Sequence, residues 1–471
     1  MTAGSRKAPD LMSNEELSPA LDLETASLVS PVVSSRRFAS RVGWTFATRL
    51  SMVAGGVGSS IVVARWLGAR GLGQLSVVNI TVGLALQITS LGLPSAMTYL
   101  VAKDRKQLAG AASSALLFAV VAGSAGALAV VGLSFASPAV FGQVPTKLLA
   151  IAAISLPFLL VTLLGYHLLL AIDKVAQFNV LDGAAPLLVL VNAVVVLVVM
   201  HSGLITLVSF NTAATSLISM AMIVTVARSV RKESERPRWR PDLSLFKGTI
   251  AYGMKFYISI IAGVIIIRAD LLIVNHFRGE AEAGVYAVAS QVAALLMLLP
   301  AVIATLLFPR VASDPDPRGE FALRVTRNAS FLMLLICVAA GAASFLLPLV
   351  YGARFADSTI QLLILLPGVY LISIESVLVQ HFTGTGLPPA IPVFWLVTVA
   401  VSLTLNFALV PRFGARAAAV TSTVSYALIF ALVAVCFCVK TERRPSEMFV
   451  LRPHELRDLF AKLRFILLRK A

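Results

Sequence analysis

Runs of twenty or more predominantly apolar residues recur along this chain, and each is long enough to cross the hydrocarbon layer of a bilayer as a helix. Twelve can be marked: 41–64, 75–102, 108–133, 148–172, 178–200, 204–227, 248–274, 284–308, 328–351, 358–383, 390–410 and 415–439. The runs are continuous, with none of the ten-residue alternation of a transmembrane barrel strand. With 58% hydrophobic and 13% charged residues, the chain carries more apolar surface than one aqueous core can hide. The expected fold is an all-α polytopic membrane protein.

Charge predicts the orientation. Of 39 Lys and Arg, 29 fall in the N-terminal tail, the even-numbered connections and the C-terminal tail, 7 in the odd-numbered connections and 3 inside spans. Cytoplasmic flanks carry such an excess, so both termini are expected in the cytoplasm. The net charge of +16 is then explained by topology and by contact with anionic membrane lipids, not by nucleic acid. The stretch 228–247 is strongly basic and falls midway, as a linker between an N-terminal lobe (41–227) and a C-terminal lobe (248–439). Residues 1–40, rich in Ser, Glu and Pro and lacking a signal-peptide core, are expected to be a disordered cytoplasmic tail. Residues 440–471 are expected to form a basic amphipathic tail along the inner leaflet, with a partner-binding helix as the alternative. Cys337, Cys436 and Cys438 lie within spans and suggest neither a disulfide nor a zinc site; no metal or cofactor is expected.

The two lobes repeat. A shift of 211 positions aligns "IVVARWLGARGLGQLSVV" with "LIVNHFRGEAEAGVYAVA", pairing Gly68 with Gly279, Gly73 with Gly284 and Trp66 with Phe277. Pro157 and Pro367, Gly203 and Gly414, and Phe141-Gly142 and Tyr351-Gly352 keep nearly the same offset, whereas Asn192 and Asn406 imply a small insertion. Six spans per lobe make the repeats parallel, related by an axis along the membrane normal, with a central cavity between them. Gly68, Gly71 and Gly73 are read as relieving backbone angles in a turn of about ten residues between antiparallel spans. Arg65 and Arg70 are placed at the interface.

The turn just quoted with "SLGLPSAMTYLVAKD", the stretch "RADLLIVNHFRGEAEAGVYAVA" with "LLPAVIATLLFPRVA", and the late "NFALVPRFGARAAAVTSTVSY" resemble the oligosaccharide flippase branch of the multidrug, oligosaccharidyl-lipid and polysaccharide exporter superfamily. The likeness extends over most of 41–439. It implies a protein of the bacterial inner membrane, not an enzyme, that moves an undecaprenyl-pyrophosphate-linked glycan from the cytoplasmic to the outer leaflet by alternating access, with polysaccharide assembly proteins as candidate partners. The product would feed a lipopolysaccharide or exopolysaccharide. An ion-coupled multidrug exporter of the same superfamily is the alternative. A membrane polymerase or ligase would be expected to carry a large outer loop, and the outer connections here are short.

Charges inside spans are costly, about 2.5–3.5 kcal/mol each at the bilayer centre, and so mark candidate sites. Arg49 lies on one helical face with Thr45, Met52, Gly56 and Ser59. The related lipid-linked precursor flippases carry cavity-facing arginines in their first helix, and Arg49 is the residue that resembles them. A guanidinium there can grip a pyrophosphate bidentately. Lys255, with Ser259 and Gly263 on its face, is the second candidate for substrate binding; snorkelling to the inner interface is the alternative for both. Arg268 and Asp270, two apart on one helix, cannot face each other, and at least one is expected to find a partner on another helix, as a structural or gating ion pair near the outer side in preference to substrate contact. Together with Glu375, the deepest acid, they are candidates for coupling or gating.

Overall fold

The structure is a computed structural model that describes residues 35–233, 239, 243–300, 316, 319–385 and 388–449; the side chains of 35–47, 49, 50, 95, 243–256 and 384–385 lie outside the description. The expected amphipathic segment 452–470, most of the N-terminal tail and much of the central linker fall outside the described residues.

Fifteen α-helical segments follow one another among the described residues. The first lobe contains α1 (Ser35–Ser90), α2 (Leu93–Lys103), α3 (Leu108–Ala136), a short α4 (Pro138–Phe141), α5 (Thr146–Ala153), α6 (Leu156–Ala171), α7 (Val175–Ala193) and α8 (Leu204–Glu233). The second contains α9 (Leu243–Arg278), α10 (Glu280–Leu296), α11 (Glu320–Ala343), a short α12 (Leu347–Tyr351), α13 (Asp357–Thr385), α14 (Ala390–Phe413) and α15 (Ala415–Thr441). Among the described residues eleven helical stretches are long and apolar enough to cross a membrane, the first of them, Ser51–Ser90, overlapping two of the expected spans. The protein is an all-α, multi-pass membrane protein.

Its helices are apolar on most faces, as a lipid solvent requires. Leu128, Phe135, Val199, Leu349 and Val439 are among the large side chains left exposed, where they meet acyl chains and cost nothing. Burial repeats between lobes. In the fourth span of the first lobe, 146–171, 56% of the most apolar window is buried, and in its counterpart, 353–383, 61% is. The spans at 105–136, 175–199, 320–351 and 390–413 each bury only 22%. Each lobe is therefore built around one central helix.

The connection between the first two spans is shorter than the expected ten residues. It is the single residue Gly68, at φ 68° and ψ −170°, a region open essentially to glycine alone. Gly71 and Gly73 are helical, so their role is close packing and not unusual backbone angles; a Cβ on Gly71 would lie 2.4 Å from Cβ of Leu67 across the bend. The repeat reproduces the corner at Gly279, with φ 84° and ψ 175°. A Cβ would meet nothing nearer than 3.7 Å at Gly68 and nothing within 4 Å at Gly279, so the demand for glycine is conformational. Gly68→Ala and Gly279→Ala should each destabilise the protein by about 1–3 kcal/mol, with the two effects adding. Unfolding temperatures in detergent check this; an unchanged melt would mean that the corner tolerates a side chain.

The insertion implied by Asn192 and Asn406 has a structural form. After α7 the chain widens into a π-helical stretch, Val194–Val199, then turns through His201 at φ 50°. In the second lobe α14 stays α-helical to Phe413 and passes directly into Gly414, at φ 67°. The extra residues are absorbed by a wider helix end. Asn192 nonetheless donates to Asn211 Oδ1 at 3.1 Å, while its counterpart Asn406 accepts from Thr421 at 2.9 Å, so each lobe ties its last two spans at the same level.

The paired prolines Pro157 and Pro367 act differently. Pro94 and Pro157 stand in the first turns of α2 and α6, after breaks in the preceding helix, where the missing N–H costs little. Pro186 and Pro367 lie inside helices.

Candidate functional site

The lobes meet at the end of the molecule marked by Gly68 and Gly279, the end that the charge distribution predicts to be outer. Gly73 of α1 and Gly284 of α10 stand backbone to backbone. A Cβ on Gly73 would fall 1.8 Å from the carbonyl oxygen of Glu280, and one on Gly284 would fall 1.9 Å from that of Ala69. Equivalent positions of the repeat meet each other, as a two-fold axis between the lobes requires.

Polar contacts flank this pair. Glu280, only 4% exposed, accepts from Arg70 Nε at 3.1 Å and from Gln74 Nε2 at 3.3 Å. Arg70 also reaches Gln143 Oε1 at 3.1 Å. Further out, each lobe's first helix binds the short helix of the other lobe. Arg65 donates to the carbonyls of Val350, at 2.8 Å, and Leu349 on α12. Its counterpart His276, 211 positions on, contacts the carbonyl of Ala139 on α4, and Asn275 Nδ2 donates to Phe141 O at 2.9 Å. Tyr351, the counterpart of Phe141, shares a 3.0 Å hydrogen bond with Ser60. The short helices read "PAVFG" and "PLVYG", and in both copies the opposite lobe bonds carbonyls near their ends.

Deeper in, Gln291 of α10 donates to Gly56 O at 3.1 Å, and Tyr257 of α9 donates to Gln87 O at 3.3 Å and to Ile88 O. Gly56, placed with Arg49 on one face from the sequence, thus lies on the surface between lobes. Ser59 of the same stripe is buried and bonds within α1. At Gly263, placed with Lys255, an added Cβ would lie 3.5 Å from the ring of Trp395 of α14, within its own lobe. Ser259 has a buried hydroxyl with no hydrogen-bond partner among the described residues. The side chains of Arg49 and Lys255 themselves are outside the description.

Asp270 and Arg268 diverge, as their spacing requires. Arg268 is exposed and Asp270 is 4% exposed. Among the described residues neither forms a salt bridge. Asp270 is held by Tyr286 OH at 2.5 Å, Ser422 Oγ at 2.9 Å and the amide of Leu271 at 2.7 Å. Its partners on other helices are hydroxyls, on α10 and α15, where an ion pair was the expectation. Next to Ser422, Thr421 joins Asn406 of α14, so one polar cluster ties four helices of the second lobe. Glu375 of α13 is 3% exposed, and its Oε1 has no hydrogen-bond partner among the described residues. The structure does not bring Glu375 into the Asp270 cluster. The described residues contain no group of three or more His, Cys, Asp and Glu suited to a metal ion.

Tyr286 and Ser422 were missed from the sequence because hydroxyl residues inside apolar spans carry no periodic signature. Glu280 was legible in retrospect, since it lies between two glycines of the repeat.

The arrangement has parallels. The solved lipid II flippase MurJ, in an inward closed conformation, superposes with a TM-score of 0.70 at 15% identity, covering 86% of this chain and 89% of that one. An inward-facing multidrug resistance MATE family transporter of the MOP superfamily gives 0.66 at 14% identity, covering 85% and 98%. At such identities the likeness is one of fold. The probable low-salt glycan biosynthesis flippase Agl15 of Haloferax volcanii is 26% identical over 216 residues, 44% of this chain and 45% of that protein, so the match spans less than half of the relative's length. Residues 62–360, more than half the chain, match the family described as polysaccharide biosynthesis protein. With its lobes, its repeat and this match taken together, the chain belongs to the polysaccharide biosynthesis protein family.

Proposed function

We propose that this protein is a flippase that carries a polyprenyl-pyrophosphate-linked oligosaccharide from the cytoplasmic to the outer leaflet for cell-surface polysaccharide assembly, by alternating access. The observation that carries the reading is the outer lock. Two matched lobes meet at the Gly68–Gly279 end by symmetric, non-covalent contacts, and Tyr257 of α9 touches the end of α1 further along, an arrangement whose contacts can part and re-form as the lobes rock. No covalent chemistry is required. The glycan comes from the family and from the partial likeness to Agl15. Undecaprenyl as the lipid, the bacterial inner membrane as the location and cytoplasmic termini belong to the same proposal. So do Arg49 and Lys255 as the cationic contacts for the diphosphate head, and assembly proteins as partners.

The test joins the lobes reversibly. Arg70→Cys/Glu280→Cys, bridged by a short cleavable thiol reagent, is reconstituted in proteoliposomes with a fluorescent undecaprenyl-pyrophosphate glycan. Bridging is expected to abolish trans-bilayer movement and cleavage of the bridge to restore it. Movement that continues with the bridge intact rejects alternating access. No movement with any glycan, together with efflux of a cationic dye, turns the assignment to multidrug export.

A further inference from the structure

A concavity of about 420 Å³ opens between the start of α7 and the end of α8, on the face where α1 begins and the basic linker lies. Its wall carries Lys174, Arg228 and Lys232 together with Gln177, Thr225 and Ser229. None of the three cations has an ion-pair partner among the described residues, although cations close by do. Arg105 is paired with Asp173 at 2.8 Å, which leaves the adjacent Lys174 without that carboxylate.

The backbone adds to the positive field. The chain leaves α6 through Asp173 at φ 59° and enters α7 at Lys174, with no side chain capping the new helix. The amides of the first turn of α7 are therefore available at the mouth of the pocket. Ser229, 3% exposed, lies at the base, donating to Thr225 O at 2.9 Å and facing Gln177 Oε1 at 3.5 Å. Three unpaired cations sharing one concavity repel each other, and an anion seated among them removes that repulsion.

What the anion is attached to follows from the surface above it. Val180 lines the pocket and is 53% exposed. Leu187 and Val191 continue the same face of α7, and Leu217, Met220 and Val224 that of α8, all of them exposed. A polar, cationic pocket thus opens into an apolar track that runs toward the membrane interior.

We infer that this pocket is a binding site for an anionic glycerophospholipid, with the headgroup phosphate held by Lys174, Arg228 and Lys232 and the acyl chains lying along the exposed faces of α7 and α8. The general excess of positive charge on this face would draw anionic lipid to the protein without holding any one molecule. A built pocket holds one.

Native mass spectrometry on the full-length protein tests this by titrating phosphatidylglycerol, phosphatidylcholine and inorganic phosphate separately. The expected result is a persistent phosphatidylglycerol adduct that weakens by about tenfold or more in Lys174→Gln/Arg228→Gln/Lys232→Gln. Phosphatidylcholine should bind weakly to both. A control, Lys103→Gln/Lys106→Gln/Arg324→Gln, removes three exposed cations expected on the same face and should keep the adduct, with matching melting temperatures for all three proteins. Equal weakening in the two triple variants would reduce the pocket to part of a diffuse basic surface and overturn the proposal. Phosphate binding as tightly as phosphatidylglycerol, with the same dependence on the pocket, would also overturn it by making the site one for small anions. The readout is binding alone, so it stands or falls apart from transport.

Discussion

Gly73→Ala will part the lobes at the Gly68–Gly279 end. The added methyl would sit 1.8 Å from the carbonyl oxygen of Glu280, 2.7 Å from its carbon and 3.0 Å from the amide of Gly284. All three atoms are backbone, so no rotamer change can make room. The lobes must separate, and separation stretches the contacts of Glu280 with Arg70 and Gln74. Overpacking of this kind costs about 1–3 kcal/mol, which shifts the balance between joined and parted lobes by roughly 5- to 150-fold. Gly284→Ala should do the same, because its Cβ would strike Ala69 O at 1.9 Å. The measurement is the distance between spin labels at Lys147 and Arg354, both exposed near the outer connections. A longer distance in either variant is expected, with transport slowed because the joined state is rarely reached. An unchanged distance would show that the glycines are not what brings the lobes together.

Removing the carboxylate of Asp270 will cost more in stability than any other single change considered. Asp270→Ala removes the carboxylate oxygen that Tyr286 OH and Ser422 Oγ share as acceptor, while the amide of Leu271 keeps its place in the α9 ladder. Tyr286 is fully buried and Ser422 likewise, so water cannot replace the lost partner. Each buried donor left unmet costs about 1–3 kcal/mol, and two together bring the loss to roughly 2–5 kcal/mol. Asp270→Asn, which keeps one acceptor oxygen, should lose about half as much. Thermal unfolding in detergent reads both. In a double-mutant cycle, Tyr286→Phe should cost little in the Asp270→Ala background. Full additivity would mean that the two side chains do not act as a unit.

The Asp270 cluster also shows the limit of span-by-span reading. An acid inside an apolar run announces its own cost, and the spacing from Arg268 excluded an intrahelical pair. Which residues would meet the carboxyl could not be read, because the answer depends on the rotation of α10 and α15 about their axes. Those helices are apolar on most faces, and periodicity does not orient a helix surrounded by lipid on one side and by other helices on the remainder. The glycines of the outer corner illustrate the same division. Their recurrence at 211 positions was visible, yet only Gly68 and Gly279 serve the backbone angle, whereas Gly73 and Gly284 serve a contact between lobes. A glycine looks the same in sequence whether it relieves a torsion or admits a neighbour.

The sequence by itself determined the number and order of spans, their sidedness as an expectation and the duplication of the lobe. Hydrophobic length, charge bias and self-similarity are properties of residues taken in order, and each reports on the bilayer or on the repeat without reference to any distant contact. The tertiary structure alone decided which equivalent positions face each other across the two-fold axis, that carbonyls of α4 and α12 accept from the opposite lobe, and that Asp270 is answered by hydroxyls. It also brought the unpaired cations of α7 and α8 to one pocket. These depend on packing between helices far apart in the chain, and in lipid that packing is set by close fit and polar pairing, which leave no periodic trace in the order of residues.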